Sequence, residues 1–181
     1  MTALEYLELK RSVIDAGYAK EIDWAHDIKP CEGAMEFWQE FSWVVICSGM
    51  KEQIARKIWD KVRPWCQLGL SASDRFGHAG KATAIDEVFR RRFDLFSAYL
   101  STADDGRVAF LETLPWIGPI TKWHLAKNLG MNVCKPDRHL VRIFGRESNV
   151  TPACQKLVDE TGDRLTEVDT VIWRAANLGL V

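Results

Sequence analysis

Helical spacing of apolar residues runs through almost the whole chain and constrains the fold more than any other pattern. Near the N-terminus, the apolar residues Leu4, Leu7, Val13 and Ile14 can lie on one side of a helix. No convincing stretch alternates apolar and polar side chains, and no Asn-Gly or Asp-Gly turn joins two such stretches. We therefore predict an all-α protein.

Eight to ten short helices are expected along the chain. They are predicted at about residues 2–16, 34–48, 51–63, 81–102, 106–114, 119–129, 137–144, 151–161 and 166–178. Pro64 is expected to stop the third helix, because proline lacks the N–H that continues a helix. The helix predicted at 81–102 is either continuous or broken near the run Arg90–Arg92.

Length and composition point to a globular protein with a substantial core. The chain has 181 residues, of which 47% are hydrophobic and 27% charged. No apolar run approaches the roughly 20 residues that span a bilayer, and the acidic start "MTALEYLELKRS" is unlike a signal peptide. The five cysteines are odd in number and widely spaced, which suits reduced thiols. We expect a cytoplasmic protein without membrane contact, nucleoid-associated if bacterial.

The charge distribution is uneven, although the net charge is only −1. Residues 51–150 contain 17 Lys and Arg against 11 Asp and Glu, whereas the chain ends are acidic. Only the middle of the chain could offer a polyanion a favourable face. Ordinary surface variation is the alternative explanation.

The stretch "LPWIGPIT", residues 114–121, interrupts two predicted helices. Pro115 and Gly118 suit a tight turn, and Pro119 suits the first position of the second helix, where its missing N–H costs nothing. The backbone amides of residues 116–121 would then point outward at a helix N-terminus, an arrangement that binds phosphate. A plain corner between two helices is the alternative.

This hairpin, followed by "NLG" and "KPDRHLVRI", resembles the helix-hairpin-helix (HhH-GPD) superfamily of base-excision-repair DNA glycosylases. Leu114, Pro115, Ile117 and Gly118 match the family's L-P-G-[VI]-G motif, and Asp137 follows Leu114 by 23 residues, close to the family's spacing. The segments "FSWVVICSGMKEQIARKIWDKV" and "FGHAGKATAIDEV" are also similar to family segments. The resemblance covers about residues 36–145.

The resemblance implies a division of the chain into a helical barrel and a second helical lobe. The central barrel would comprise residues 30–136 and contain the helix-hairpin-helix at about 106–130. Residues 1–29 and 137–181, the two chain ends, would form the second lobe. We expect a monomer.

In the family, the aspartate that matches Asp137 faces the N-glycosidic bond of an extruded nucleotide. A carboxylate there can stabilise oxocarbenium character on the sugar and orient water. Asp137 could also cap the helix that follows Pro136, and the two roles are compatible. For His139, no second ligand stands at metal-binding spacing, so a structural role is favoured.

Ile120 occupies the position where strand-cleaving members of the family carry a lysine nucleophile. Lys122 lies two residues further on, about 200° around the helix, and is not expected to reach the same pocket. The resemblance therefore implies a monofunctional glycosylase without AP-lyase activity.

Cofactor expectations also follow from the resemblance. Some members hold an iron–sulfur cluster on four cysteines near the C-terminus, but only Cys154 lies beyond Cys134 here, so no cluster and no required cofactor are expected. Hairpins of the family can bind a monovalent cation through backbone carbonyls. The matching carbonyls are those of Glu112, Leu114 and Ile117.

The family pattern suggests further positions that contact DNA or line the base pocket. Met50 could wedge into the gap left by the flipped nucleotide or fill the core, and Trp116 could pack on the fold or lie against DNA. Lysines at such positions are alternatively solvated surface charges, and most tryptophans must be core. The DNA-contact candidates are Trp116, Ile117, Gly118, Ile120, Thr121, Met50, Lys51, Gly80 and Lys81, and the base-pocket candidates are Trp38 and Trp43.

The sequence thus predicts a glycosylase that hydrolyses the N-glycosidic bond of a damaged, mismatched or modified base flipped out of duplex DNA. Duplex DNA containing an altered base would be its partner. One alternative is a non-catalytic helix-hairpin-helix module that binds DNA. Another keeps the fold but removes enzymatically modified bases in phage defence.

Overall fold

The computed structural model describes residues 1–181 and contains helices without strands, which confirms the predicted all-α class. Its helices are α1 (Ala3–Val13), α2 (Ala19–Asp27), α3 (Ala34–Cys47), α4 (Glu52–Gln67), α5 (Ala79–Ser101), α6 (Asp104–Glu112), α7 (Thr121–Asn128), α8 (Arg138–Phe144), α9 (Glu147–Thr161) and α10 (Leu165–Leu178). A π turn (Ile14–Tyr18) joins α1 to α2, and a 3-10 turn (Ala72–Asp74) precedes α5. None of the helices combines the length and apolar character needed to cross a membrane.

The chain folds into two compact units. The end unit consists of Met1–Pro30 and Gly130–Val181, and the middle unit of Cys31–Leu129. The end unit therefore contains α1, α2 and α8–α10, whereas the middle unit contains α3–α7.

The end unit joins the two chain termini through a core and a buried polar network. Its core is built mainly from α1, α8, α9 and α10, with Leu140, Leu157 and Val171 almost fully buried. The Tyr6 hydroxyl donates to Asp163 (2.7 Å), and Lys10 donates to the carboxylates of Asp163 and Glu167 (2.8 and 2.5 Å). Because both acceptors flank the start of α10, these bonds tie the first helix to the last.

The middle unit is organised around the pair α3 and α5, whose aromatic side chains fill its core. Phe37 packs on Tyr99 at a ring separation of 5.6 Å. Trp38 meets Phe89 edge-on at 5.0 Å, and its indole N–H donates to the Ile85 carbonyl (3.2 Å). The buried indole is therefore both packed and hydrogen-bonded, as a large polar aromatic requires.

The end of α4 differs from the prediction, because a single proline does not end a helix whose apolar face is buried. Pro64 lies inside α4, which continues to Gln67 because Trp59, Val62 and Cys66 bury one continuous face. A proline so near the helix end forfeits one backbone hydrogen bond, which the burial of that face offsets. The run Arg90–Arg92 causes no break, and α5 is continuous.

Helix α2 was not predicted, although its residues Ile22 and Ala25 are buried. Gly17 adopts φ 94° between α1 and α2, a conformation that kinks the chain and that glycine adopts readily. Helix α9 also begins earlier than predicted, at Glu147, with Pro152 inside it.

Residues 130–136, assigned to the barrel by the sequence prediction, belong to the end unit. The Lys135 amide donates to the Asp169 carboxylate (3.0 Å), and the side-chain oxygen of Asn132 accepts from the Thr166 amide (3.2 Å). Gly130 approaches the chain so closely that a Cβ there would lie 2.2 Å from the Lys29 carbonyl oxygen. These bonds and contacts hold the segment against α10 and the end of the N-terminal segment.

Candidate active site

The hairpin between α6 and α7 is closed by its own side chains and backbone. Helix α7 begins at Thr121 rather than at Pro119 as predicted, and the turn before it is held by the Thr121 hydroxyl, which accepts from the Gly118 amide (2.7 Å). The Ile117 amide donates to the Leu114 carbonyl (3.2 Å). Pro119 therefore shapes the turn and does not start the helix.

Only part of the predicted row of outward amides is free. The amides of Ile117 and Gly118 are used within the turn, and Pro119 has none. The amides of Trp116, Ile120 and Thr121 donate no hydrogen bond to the rest of the chain. Two of these three lie at the positive end of α7, where an anion is favoured.

Trp116 stands at the hairpin position that is glycine in the family motif. Its φ of 64° makes it the single non-glycine residue with positive φ, a conformation that costs a side-chain-bearing residue roughly 1–2 kcal/mol. Its indole packs on Gly80, where a Cβ would lie 2.7 Å from the ring, and meets His78 edge-on at 5.0 Å. The side chain remains 48% exposed, so it packs on the fold and still presents a face to solvent.

Lys81, predicted as a DNA contact or a solvated surface charge, is buried. Its ammonium donates to the Ser48 carbonyl (2.5 Å) at the end of α3, and burial lowers the pKa of Lys81 below its ordinary value. Lys81 is therefore not a solvated surface charge, because its side chain turns inward to the Ser48 carbonyl at the end of α3. Nearby, Met50 is half-buried, whereas Lys51 is exposed at the start of α4.

The two tryptophans predicted to line a base pocket have different environments. Trp38 has no exposed surface and is committed to the core, so it offers no face for stacking a base, contrary to the prediction. Trp43 is half-buried, and the Arg56 guanidinium covers its ring at 4.2 Å from the centroid.

Asp137 is the N-cap residue of α8. Its Oδ1 accepts from the amides of His139 (2.9 Å) and Leu140 (3.3 Å), which fixes the side-chain rotamer. Its Oδ2 lies 3.8 Å from the Lys135 ammonium and takes no part in the cap. The residue is only 8% exposed, so the carboxylate combines low solvent access with one oxygen outside the cap. The ring of His139 accepts from Arg138, in line with a structural role.

Lys122, two residues after Ile120, is already paired. Lys122 donates to the Glu112 carboxylate (2.5 Å) across the hairpin. The carbonyls considered for a cation lie at the end of α6 and in the turn, where helical hydrogen bonds do not occupy them. The Leu114 oxygen accepts once, from the Ile117 amide, which leaves it a second lone pair.

Two further side chains lie beside these candidates: His78, for which the sequence favoured a structural role, and Lys135, to which it assigned none. His78 accepts from the Lys81 amide (3.4 Å) as the N-cap of α5 and contacts Trp116; its place before the "AGKA" helix start was the available signal. The Lys135 ammonium lies 3.8 Å from the Asp137 carboxylate, and its only signal in the sequence was its place in "KPD".

No protein-family model and no curated protein sequence matches this chain. Among solved structures, the chain is similar to the crystal structure of Methanocaldococcus jannaschii 8-oxoguanine glycosylase/lyase in complex with 15mer DNA containing 8-oxoguanine. The two are 18% identical with a TM-score of 0.71, and the match covers 98% of this chain and 97% of that chain. The chain therefore has the fold of the helix-hairpin-helix DNA glycosylases.

Proposed function

We propose that this protein is a monofunctional DNA glycosylase that hydrolyses the N-glycosidic bond of an altered base flipped out of duplex DNA. The proposal rests on the hydrogen bonds and the burial of the Asp137 carboxylate. One carboxylate oxygen is held by two backbone amides, and the other lies outside the cap in a nearly buried setting. Such a carboxylate is positioned before the substrate arrives, which is how charged groups stabilise a transition state most effectively.

In the proposed reaction, the bond between C1′ and the base breaks as water adds to C1′, and the base leaves with a proton. Positive charge develops on the sugar, and the free Oδ2 of Asp137 would stabilise it and orient the water. The cap prevents the carboxylate from rotating away during this step. Lys135, at 3.8 Å from Oδ2, would balance the negative charge before substrate binds.

The hairpin would hold the DNA backbone. The free amides of Ile120 and Thr121 at the start of α7 suit a phosphate oxygen, which they can bind without reading sequence. The Gly118 position supports this role, because a Cβ there would meet nothing within the protein and glycine leaves room for a partner. A monovalent cation on the carbonyls of Glu112, Leu114 and Ile117 would add positive charge beside that phosphate.

The absence of a nucleophilic amine at residue 120 supports hydrolysis over strand cleavage. An isoleucine cannot form the imine through which lysine-dependent lyases act. Lys122 is held by the Glu112 carboxylate (2.5 Å) across the hairpin. The product would therefore be an intact strand with an abasic site.

A panel of duplexes that each carry one altered base tests the proposal. The panel includes 8-oxoguanine, an alkylated purine, uracil and thymine mismatches and an enzymatically modified cytosine, with alkali used to reveal abasic sites. Base release from one duplex, with cleavage only after alkali, is expected. Release from none would contradict glycosylase activity and favour a binding module, and cleavage without alkali would contradict the monofunctional assignment.

A further inference from the structure

We propose that Trp116 is a positioning residue for DNA binding, which joins the hairpin tip to the first turn of α5 and so fixes the phosphate-facing amides. The inference rests on the proposed function, since it concerns how the same hairpin holds DNA. It concerns a residue at which this chain departs from the family motif.

The backbone conformation at Trp116 indicates that contacts of the indole help to hold the hairpin in shape. A φ of 64° is adopted easily by glycine but is strained for tryptophan. Strain of this kind persists where the surroundings hold the residue in place. Here the surroundings are the contacts of the indole, because the backbone of the turn alone would favour glycine.

The indole contacts Gly80 in the first turn of α5 and His78 at the N-cap of that helix. The indole covers Gly80 so closely that a Cβ would lie 2.7 Å from Cζ2 and 3.5 Å from Nε1. The His78 ring meets the indole at 87°, the edge-to-face geometry that aromatic pairs prefer. His78 is itself held as the N-cap of α5 through the Lys81 amide.

The first turn of α5 is also anchored on its other side. Lys81 turns inward and donates to the Ser48 carbonyl at the end of α3. The first turn of α5 is therefore held in place, and the indole packs the hairpin tip against it. The free amides of Ile120 and Thr121 follow that tip by four and five residues.

Loss of this attachment would leave the hairpin folded but less ordered at its tip. DNA would then have to order the tip when it binds, and this ordering weakens affinity without changing the contacts made. We therefore expect weaker DNA affinity and a more mobile hairpin in the free protein, with little change in global stability.

Three disruptive variants, one partial-rescue variant and one control separate this role from a merely structural one. Trp116→Gly removes the indole and restores the family residue, Gly80→Ala displaces the indole with a methyl group, and the double variant combines them. Gly77→Ala adds the same methyl three residues earlier, where nothing lies within 4 Å. Binding is measured by anisotropy on a short duplex carrying a tetrahydrofuran abasic analogue.

Each single variant should raise Kd roughly threefold to tenfold, the range that the loss of an aromatic contact and its ordering implies. The double variant should be no weaker than Trp116→Gly, and Gly77→Ala should bind like wild type. Trp116→Phe, which keeps a flat ring, should recover part of the affinity. The melting temperature of Trp116→Gly should change little, because relief of the backbone strain offsets much of the loss of the indole contacts.

Hydrogen exchange of the DNA-free protein distinguishes positioning from direct stacking of the indole on DNA. Positioning requires faster exchange at the hydrogen-bonded amides of Ile117 and Gly118 in Trp116→Gly. Unchanged exchange, wild-type affinity in Trp116→Gly, or additive effects of the two substitutions would overturn the inference while leaving the proposed function intact. If wild type binds no such duplex, the proposed function fails and the inference fails with it.

Discussion

Replacement of Asp137 by asparagine separates the two tasks of this side chain. Asparagine keeps an oxygen that can accept from the amides of His139 and Leu140, so its side chain still caps α8. The substitution therefore removes the negative charge and leaves the cap. Alanine at the same position removes both.

The stability cost can be worked out from the contacts. Loss of the charge forfeits its interaction with the N-terminus of α8, about 0.3–1 kcal/mol, and a 3.8 Å ion pair with Lys135, about 0.2–1 kcal/mol. Asp137→Asn should thus lower the free energy of unfolding by about 1 kcal/mol. Asp137→Ala should lower it by about 2 kcal/mol, because the cap contributes about 1 kcal/mol more.

The catalytic cost should be much larger than the stability cost. Removal of one preorganised group that stabilises the transition state slows a reaction roughly 100- to 1000-fold. The assay is single-turnover base release, followed by alkali, on the duplex that wild type processes fastest. Asp159→Asn, at an exposed carboxylate of α9, is the matched control and should act like wild type.

Two results would refute this reasoning separately. Base release by Asp137→Asn at the wild-type rate would show that the carboxylate does not take part in catalysis. Identical unfolding curves for Asp137→Asn and Asp137→Ala would show that the cap does not stabilise α8.

Three further predictions concern other parts of the chain. Ile120→Lys should place an amine at the family's nucleophile position, and borohydride should then trap it on an abasic duplex; trapping of wild type would contradict the assignment. Gly130→Ala should lower the free energy of unfolding in urea by about 3 kcal/mol or more, because φ is +87° and the new Cβ would lie 2.2 Å from the Lys29 carbonyl; a loss below about 1 kcal/mol would count against it. Burial raises the pKa of Cys66 from 9.0 to about 12, so the folded thiol stays protonated while the unfolded thiol ionises. Stability should therefore fall as pH rises from 9 towards 12, by about 1.4 kcal/mol per pH unit from this thiol, and Cys66→Ala should flatten that slope in unfolding titrations.

The parts of the fold and site that sequence predicted are those encoded over short distances. Helical spacing, the turn at Pro115 and Gly118 and the separation of Leu114 from Asp137 are all local patterns. The N-cap of α8 is local too, because the aspartate and the amides it binds lie within three residues. Such features depend little on how distant segments pack.

The parts that sequence missed depend on partners far along the chain. Trp38 is a core residue because its indole reaches Ile85, 47 residues away, and Lys81 turns inward to Ser48, 33 residues away. Neither the aromatic ring nor the charge reveals such a partner in advance. The predicted stop at Pro64 was wrong for a related reason, since burial of one helix face outweighs a single missing hydrogen bond.

The arrangement of the end unit, which draws on both termini, has a consequence for synthesis on the ribosome. Tyr6 and Lys10 bond to Asp163 across 157 and 153 residues, so α1 emerges long before its partners exist. At roughly 5–20 residues per second, the wait is about 10–30 s. During that interval the middle unit, Cys31–Leu129, can already fold, while the buried face of α1 stays open to chaperones or proteases.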